Sequence, residues 1–445
     1  LSGVKCTNQS IMSHTKGQRG KTVQDKSIWG IRFPEKEFAE FRKHFTILIA
    51  LSIIIKFAVM LLTTGVLHSF IDIFDISVYF QYAMQVLGGE IPYLDFPLEY
   101  PQLSLIVILV PLIFTVLTQD PSTYLVVHQV FMSVFDILTT LLVYLIALKV
   151  SNQRCAFISG VLSATAFSSA YFVLTKYDAF PTFLLMLSLF LFIYRKETCG
   201  YLSAAAGFLA KWFPGLAIPY FALHEHMSGR SSRAIGRNII VAASLSLIVT
   251  LPFAVMNSSG FLATYTAHTG RAALAHSFCY YIDFVLENAL GLSFFAQISL
   301  FLMALVQILL LGYYYSTKNT SAEYLCAFLF FSTFAFIILN NVFSPQYILW
   351  ITPFLAIFLV HSYKEVALFY AIQAWMYLEF PLLYRSIYIN DGYFIGDASP
   401  LISTPFFFFT VKFILLFIAF SVVWSSLRHP DLRLALTPLH HDKST

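Results

Sequence analysis

The sequence predicts an all-α, polytopic membrane protein with about ten to thirteen membrane segments. Apolar residues make up 58% of the chain and charged residues 11%, a balance that a water-soluble domain of this length could not bury in one core. The 47 Phe and 25 Tyr suit lipid contact and aromatic belts at the membrane interface. The net charge of +4 comes mostly from short loops and tails, so it indicates topology rather than a nucleic-acid partner.

The amino-terminal 44 residues are polar and basic and lack the apolar core and cleavage site of a secretory signal. The first span, about 45–66, is therefore expected to act as an uncleaved anchor with the amino terminus inside. We divide the chain into a cytoplasmic segment (1–44), a transmembrane domain (45–427) and a cytoplasmic tail (428–445). Leu1 in place of Met suggests a non-standard start codon or a trimmed chain. This favours the plasma membrane of a prokaryote, with the endoplasmic reticulum membrane as the alternative.

Further apolar segments follow the first span and predict helices. They lie near 103–118, 123–148, 155–174, 180–194, 201–222, 239–256, 293–315, 324–339, 346–361, 366–384 and 404–427. In the second half, basic loops alternate with loops poor in Lys and Arg, which places 257–292, 340–346 and 385–403 outside.

The first half allows two topologies. If every segment between 101 and 223 crosses, the pairs Lys149/Arg154 and Arg195/Lys196 face outside, against the charge rule. If 103–118 and 201–222 are bent re-entrant hairpins, both pairs face inside. We favour the second solution, because prolines interrupt both segments: Pro111 in one, and Pro214 with Pro219 in the other.

Acidic residues concentrate between 71 and 101, in a loop rich in tyrosine and proline. They are Asp72, Asp75, Glu90, Asp95 and Glu99. A carboxylate at the membrane surface can take the proton of a sugar hydroxyl as it attacks, and apolar neighbours raise its pKa toward a useful value. The alternative is that these acids only solvate an external loop, and their clustering favours chemistry.

The motifs of this loop resemble those of a known superfamily. The order Asp75–Tyr79, Gly89–Tyr93 and Glu99–Leu103 is similar to the first external loop of the GT-C superfamily of lipid-phosphate-dependent glycosyltransferases, most of all the family 87 polyprenol-phosphate-mannose mannosyltransferases. Further patches agree in order: Lys176–Pro181, Gly207 through Lys211–Pro214, and Ser344–Tyr347 followed by Trp350 and Pro353. The resemblance spans roughly residues 45–360 and implies a helical bundle of GT-C type.

The resemblance also implies roles for individual residues. Asp75 matches the proposed general base, with Asp72 as the fallback. Lys211, Lys176, His268 and Arg271 would bind the donor phosphate, and Arg271 suits this role because its planar fork can hold two oxygens. The alternative for Lys211 is a lysine that snorkels from a bent helix. Contacts with sugar or acceptor would come from Tyr79, Tyr93, Glu99, Tyr100, Asp178 and Gln346, although Gln346 could equally cap its own helix.

Other polar groups are interpreted as structural. Lys56 and Asp136 lie inside apolar segments, where a snorkelling lysine and a bridge between helices are expected before catalysis. The five cysteines form no C-x-x-C pair, so neither a zinc site nor a disulfide framework is predicted.

The function that follows is inverting transfer of a sugar, by family analogy mannose, from a polyprenyl or dolichyl phosphate to a glycan or glycolipid acceptor outside the cytoplasm. Asp75 would deprotonate the acceptor, and no metal or other cofactor is expected, because a charge-neutralised phosphate is already a good leaving group. The alternatives are a multi-pass lipid or solute transporter or flippase, and a structural membrane subunit. The gathering of the acids in one loop rather than along a path through the bilayer favours the enzyme.

Overall fold

A computed structural model of the chain describes residues 26–28, 31–33, 35–67, 70–269, 273–292, 294–390, 401 and 403–428. The chain divides into two compact units, residues 1–44 and 45–445. In the first unit, the short strands β1 (Lys26–Ile28) and β2 (Ile31–Phe33) pair antiparallel, with Lys26 opposite Phe33. The second unit is helical throughout its described regular structure, which confirms the predicted polytopic helical bundle. Apart from Arg428, the 428–445 tail lies outside the described residues.

The α-helices of the described residues follow in this order: α1 (Glu35–Thr64), α2 (Phe74–Leu87), α3 (Ser104–Thr115), α4 (Pro121–Val150), α5 (Gln153–Ala164), α6 (Phe167–Thr175), α7 (Ala179–Ile193), α8 (Glu197–Ala210), α9 (Ala217–Met227), α10 (Ser232–Met256), α11 (Ser258–Thr269), α12 (Phe278–Leu290), α13 (Phe295–Thr317), α14 (Ala322–Ile338), α15 (Ile348–Phe358), α16 (Tyr363–Tyr377) and α17 (Thr404–Arg428). Short 3-10 segments cover Phe213–Leu216 and Pro345–Tyr347, a kinked segment covers Leu378–Leu382 with Phe380 in an extended conformation (φ −145°, ψ 120°), and a π-helical segment covers Arg385–Asn390.

The number of full spans is smaller than the apolar segments suggest. Within the described residues, five helices are long and apolar enough to cross a membrane: Ala39–Thr63 of α1, α4, α10, α13 and α17. A sixth candidate is α5 with α6, which meet at a bend of 50°. The other predicted segments also form helices, but several are too short to span a hydrocarbon core of about 30 Å at about 1.5 Å per residue.

Several helix ends contact one another through their side chains on one face of the bundle, which we call the basic end. Arg230 pairs with Glu197 at 2.7 Å, which joins the start of α10 to the start of α8. Tyr324 donates to the Leu427 carbonyl at 2.9 Å, which joins the start of α14 to the end of α17. Contacts of Lys149 with Tyr194, of Cys155 with His361, of His224 with Tyr314 and of Arg428 with Tyr313 join further helix ends to this face. Exposed cations lie at or near these ends: Lys149, Arg154, Arg195, Lys196, Arg233, Arg237, Lys318, Lys364 and Arg428.

The predicted bend in segment 201–222 is present. α8 ends at Ala210, a 3-10 turn containing Pro214 follows, and α9 runs back. Arg230 contacts both Glu197 at 2.7 Å and Glu225 at 3.1 Å, so the two arms of this hairpin begin and end together at the basic end. The arrangement places the pairs Lys149/Arg154 and Arg195/Lys196 at one end, as the second topology requires.

The predicted bend at Pro111 is wrong. α3 is one continuous helix of 12 residues that contains Pro111. It packs beside the first turns of α4, where Tyr124 donates to the Ile108 carbonyl at 2.8 Å. α3 is therefore half of a helical hairpin with α4, because neighbouring side chains rather than the proline decide its course.

Small residues allow the helices that carry the site to approach closely. A Cβ at Gly200 of α8 would lie 3.0 Å from the Ser188 carbonyl oxygen of α7, so α7 and α8 pack nearly backbone to backbone. By contrast, only 6% of the residues in the most apolar stretches of α10 and α13 are buried. Apolar helices with so little protein contact are suited to lipid as their solvent.

Candidate active site

A cavity of about 520 Å³ opens at the end of the bundle opposite the basic end. We call this the cavity end. Five parts of the chain form its walls: α2 with the loop at 99–101, the α6–α7 junction, the α8–α9 junction, the start of α13, and the segment 336–350. The polar residues among its lining are Asp75, Tyr79, Glu99, Tyr100, Tyr177, Asp178, Lys211, Trp212, Gln297, Ser299, Asn340, Asn341, Ser344, Gln346, Tyr347 and Trp350. Its volume lies within the range of about 300–1,000 Å³ found for small-molecule sites.

Asp72 and Asp75 converge on one lysine. They lie three residues apart: Asp75 is in the first turn of α2, and Asp72 lies two residues before this helix begins. The Lys176 Nζ lies 2.9 Å from Asp72 Oδ2 and 3.1 Å from Asp75 Oδ2. Asp72 Oδ1 also accepts from the Phe74 backbone N–H at 3.1 Å.

The two carboxylates differ in their access to the cavity. Asp75 lines the cavity, whereas Asp72 is not part of its wall. No hydrogen bond to Asp75 Oδ1 is formed by the described residues, so this oxygen is available to a ligand. Asp75 is thus better placed than Asp72 to meet a substrate.

Lys176 lies behind the acids rather than in the cavity wall. Its side chain is only 6% exposed. Burial by itself lowers the pKa of Lys176, but the Asp75 and Asp72 carboxylates outweigh burial and raise it. The ammonium is therefore charged, and it holds the two acids in place. The sequence assigned Lys176 to the donor phosphate, whereas its contacts in the structure are with the predicted base.

A second acid–lysine pair lies across the α6–α7 and α8–α9 junctions. Asp178 is 1% exposed, and its Oδ1 accepts from Lys211 Nζ at 2.6 Å and from the Trp350 indole N–H at 2.7 Å. These two donors fix Asp178 in the wall, where burial without partners would be costly. Lys211 is 19% exposed and lines the cavity. The structure thus replaces the snorkelling alternative with a lysine paired at the site.

Aromatic rings surround the Lys211 ammonium. Its Nζ lies 4.8 Å from the centroid of the Tyr177 ring, 5.3 Å from Trp350 and 5.8 Å from Tyr347. Trp350 also stacks on Phe213 at 4.2 Å. Such rings attract a cation through their negative faces, so they limit where the ammonium can go.

Tyrosines line the side of the cavity next to Asp75. Tyr79, Tyr100 and Tyr177 contact one another edge to face, with centroids 5.2 to 5.7 Å apart. Burial raises the pKa of Tyr100, and the nearby Asp75 and Glu99 carboxylates raise it further. Its hydroxyl therefore stays protonated and can only donate or accept a hydrogen bond.

Tyr93 has a different place from the one predicted. It is 2% exposed and is not in the cavity wall. Its hydroxyl donates to the Tyr100 carbonyl at 2.7 Å, and its own carbonyl accepts from Asn257 at 3.1 Å. Tyr93 therefore supports the loop that carries Tyr100, and its φ of 68° fits a tight turn.

The remaining predicted residues divide into two groups. Glu99, Tyr100 and Gln346 line the cavity, as a contact with sugar or acceptor requires. Arg271 lies outside the described residues, and so does the side chain of His268 at the end of α11. Their roles stay predictions. Gln346 lies in the 3-10 turn before α15, and no side-chain cap to this helix is present.

Lys56 and Asp136 form an ion pair between α1 and α4. Neither lines the cavity. The pairing agrees with a bridge between helices, the interpretation preferred for Asp136 from the sequence, and it keeps both charges satisfied within apolar helices.

Sequence reasoning missed the groups that complete the site. Asn340, Asn341 and Ser344 line the cavity, and Tyr171 Oη accepts from the Asp72 backbone N–H at 2.9 Å. The run of polar residues between two apolar segments was a usable signal for Asn340 and Asn341. Nothing in the sequence links Tyr171 to Asp72. Among the described residues, no group of three or more His, Cys, Asp or Glu could hold a metal ion.

No protein-family model and no curated protein sequence matches the chain. Among solved structures, it is similar to ArnT from Cupriavidus metallidurans bound to undecaprenyl phosphate, with a TM-score of 0.47 and 12% identity over 87% of this chain and 79% of that one. It is also similar to the Archaeoglobus fulgidus oligosaccharyltransferase in complex with zinc and sulfate, with a TM-score of 0.39 and 11% identity over 90% of this chain and 58% of that one. Neither similarity is close enough to assign a function.

Proposed function

We propose that the protein is a membrane glycosyltransferase that moves a sugar from a polyprenyl phosphate to a hydroxyl of an acceptor. One observation carries the proposal. A cavity at one end of an apolar helical bundle presents a lysine-held carboxylate, Asp75, and an ammonium, Lys211. When an acceptor hydroxyl attacks a sugar phosphate, a base takes the hydroxyl proton and a cation offsets the phosphate charge, and this cavity contains both groups.

The position of the cavity suits a donor with a lipid tail. α13 contributes Leu300 and Met303 to the cavity wall, while Phe301 and Ile308 of the same helix do not line the cavity and are 69% and 64% exposed. The same helix thus borders the cavity and presents apolar surface to lipid. A polyprenyl chain can lie along this surface while its phosphate and sugar enter the cavity.

Asp75 is the proposed general base. The Oδ2 atom is held by Lys176, so the free Oδ1 can accept the acceptor hydroxyl proton as the oxygen attacks the anomeric carbon. The bond between that carbon and the phosphate oxygen breaks, and the polyprenyl phosphate leaves with the electron pair. A single displacement of this kind inverts the configuration.

Charge on the leaving phosphate is offset by Lys211, with Arg271 and His268 as further proposed ligands. Among the described cavity-lining residues, the acids Asp75, Glu99 and Asp178 outnumber this one lysine. An anionic donor therefore needs another cation, and we propose Arg271, which follows α11 in the chain, for this role. This electrostatic step requires no metal.

The finer assignments follow the motif resemblance. We propose mannose as the sugar, a glycan or glycolipid as the acceptor, and an active site outside the cytoplasm of a prokaryotic plasma membrane. Tyr79, Tyr100, Glu99 and Gln346 would contact sugar or acceptor from the cavity walls.

The decisive experiment replaces Asp75 by Asn. The amide keeps the size of the side chain but cannot take a proton, so transfer from a polyprenyl-phosphate sugar should fall by roughly two to four orders of magnitude. Rates are measured in membranes that contain equal amounts of each variant, with Asp72→Asn compared in the same assay.

Asp95→Asn is the matched control. Asp95 belongs to the same loop, but its Oδ2 accepts from the Ile91 N–H at 2.7 Å within a turn, so its variant should stay within a few-fold of the wild type. Near wild-type transfer by Asp75→Asn would refute its role as base and make Asp72 the candidate. Absence of transfer by the wild-type protein from any polyprenyl-phosphate sugar would refute the function.

A further inference from the structure

A buried ion pair lies outside the proposed chemistry. Lys412 of α17 and Glu379 of the kinked Leu378–Leu382 segment are 2% and 1% exposed, and Lys412 Nζ lies 2.8 Å from Glu379 Oε1. The same oxygen accepts from the Tyr388 hydroxyl at 2.5 Å. Neither charged residue lines the cavity.

An ion pair between two almost fully buried side chains is unusual. α17 is apolar and long enough to span the membrane. Two buried charges lose much hydration, and apolar residues of similar size are often at least as stabilising. Stability alone is therefore a weak explanation for a lysine at position 412, and its further contacts suggest a different role.

Lys412 contacts two segments on one side of the cavity. Its Nζ donates to the His276 carbonyl at 3.4 Å and lies 4.5 Å from the centroid of the Phe343 ring. These segments are joined by a hydrogen bond from the Leu274 N–H to the Asn341 carbonyl at 3.1 Å. Asn341 and its neighbour Val342 line the cavity.

Glu379 belongs to a segment that reaches the opposite side. The next residue, Phe380, packs against Tyr171 with ring centroids 6.0 Å apart. Tyr171 accepts from the Asp72 N–H at 2.9 Å, and Asp72 shares Lys176 with Asp75. The Glu379–Lys412 pair therefore lies between the supports of two cavity walls.

We propose that Glu379 and Lys412 are positioning residues that set the distance between the Asp75 wall and the Asn341 wall of the cavity. The consequence for donor binding rests on the proposed function, whereas the consequence for wall geometry does not. A change of about 1 Å between such walls can alter a rate by about a hundredfold, so a rigid polar link here affects substrate use without touching substrate.

The test removes both charges together. Lys412→Met alone leaves a buried carboxylate unpaired and is expected to destabilise the protein strongly. The double variant Glu379→Gln/Lys412→Met contains no buried charge and should accumulate with a melting temperature close to wild type. Its KM for the polyprenyl-phosphate donor should nevertheless rise about tenfold or more, because the walls lose their fixed spacing.

The pair Lys56–Asp136 provides the matched control. It is also a buried lysine–carboxylate pair between apolar helices, but it has no part in the cavity. The double variant Lys56→Met/Asp136→Asn should leave the donor KM unchanged. Equal donor KM values for wild type and Glu379→Gln/Lys412→Met would show that the Glu379–Lys412 pair is only structural and would overturn the proposal.

Hydrogen exchange tests the wall geometry without activity. In the Glu379→Gln/Lys412→Met variant, the Leu274 amide should exchange at least about tenfold faster, while amides at 197–230 keep their wild-type rates. Unchanged exchange at Leu274 would also overturn the proposal, even if the wild-type protein transfers no sugar. If the double variant does not accumulate, Glu379→Met/Lys412→Met gives the same comparison, because it also removes both charges and replaces the buried pair by apolar side chains of similar size.

Discussion

At the scale of the residue, the site depends on fixed partners for its charges. Asp178 is nearly fully buried, and Lys211 and Trp350 both donate to one of its oxygens. Two donors on one oxygen leave the carboxylate little freedom. The sequence predicted that Asp178 and Lys211 belong to one site, but not that they pair or that Trp350 holds the acid, because the three residues lie in separate segments.

Trp350→Phe tests this arrangement. Phenylalanine keeps an aromatic ring beside Phe213 and Lys211 but removes the indole donor, so Asp178 loses one of its two hydrogen bonds. Stability should fall by about 1–3 kcal/mol, and donor KM should rise because Lys211 is held less precisely. Thermal unfolding and donor titration measure the two effects.

Trp375→Phe is the control for this prediction. The Trp375 indole donates to the Phe408 carbonyl at 3.1 Å, and Trp375 does not line the cavity. Loss of this hydrogen bond should lower the free energy of unfolding by a similar amount without a change in donor KM. A Trp350→Phe variant with a wild-type donor KM would separate the Asp178 contact from substrate binding.

At the scale of the element, long apolar runs were predictable and short helices in the external loops were not. The runs at 45–66, 123–148 and 404–427 gave α1, α4 and α17, since apolar length alone identifies such helices. α2, α11 and α12 lie in stretches that looked like loops. These helices are only 12 to 14 residues long, too short to be recognised as spans, and buried side chains such as Tyr79 of α2 and Tyr281 of α12 hold two of them to the bundle.

The junction of α10 and α11 holds the acidic loop. Asn257 donates to the Tyr93 carbonyl at 3.1 Å, and Thr264 of α11 donates to the Leu98 carbonyl at 2.8 Å. Gly260 lies against Tyr93 so closely that an added Cβ would collide with the Tyr93 carbonyl oxygen. The missing side chain is what allows α11 to approach the loop.

Gly260→Ala should therefore displace the loop that carries Tyr93 and Tyr100. We expect a loss of about 1–3 kcal/mol of stability from overpacking, together with reduced transfer activity. In contrast, Gly236→Ala in α10 meets nothing within 4 Å and should be neutral or stabilising by up to about 1 kcal/mol. Equal melting temperatures and rates for Gly260→Ala and wild type would contradict the close contact.

At the scale of the whole molecule, the arrangement of charge follows the direction of the helices. Exposed cations lie at the basic end, and the acids of the cavity lie at the other. The sequence could place 257–292 and 67–102 on the same side because the positive-inside rule depends only on loop composition. It could not settle the course of 103–118, because a proline within a short helix is compatible with a bend or with a continuous helix.

The topology gives the last prediction. In a variant without its native cysteines, single cysteines at Glu90 and Ser258 report on the cavity end, and those at Ser151 and Ser232 on the basic end; all four positions are exposed. An impermeant maleimide added outside intact cells should label the first two, because positive loops stay in the cytoplasm. The other two should react only after the membrane is opened. Labelling of both Glu90→Cys and Ser258→Cys from the cytoplasmic side would exclude an external active site. Labelling of these two cysteines from opposite sides of the membrane would contradict the fold, because the hydrogen bonds of Asn257 and Thr264 to the acidic loop require both segments on one face.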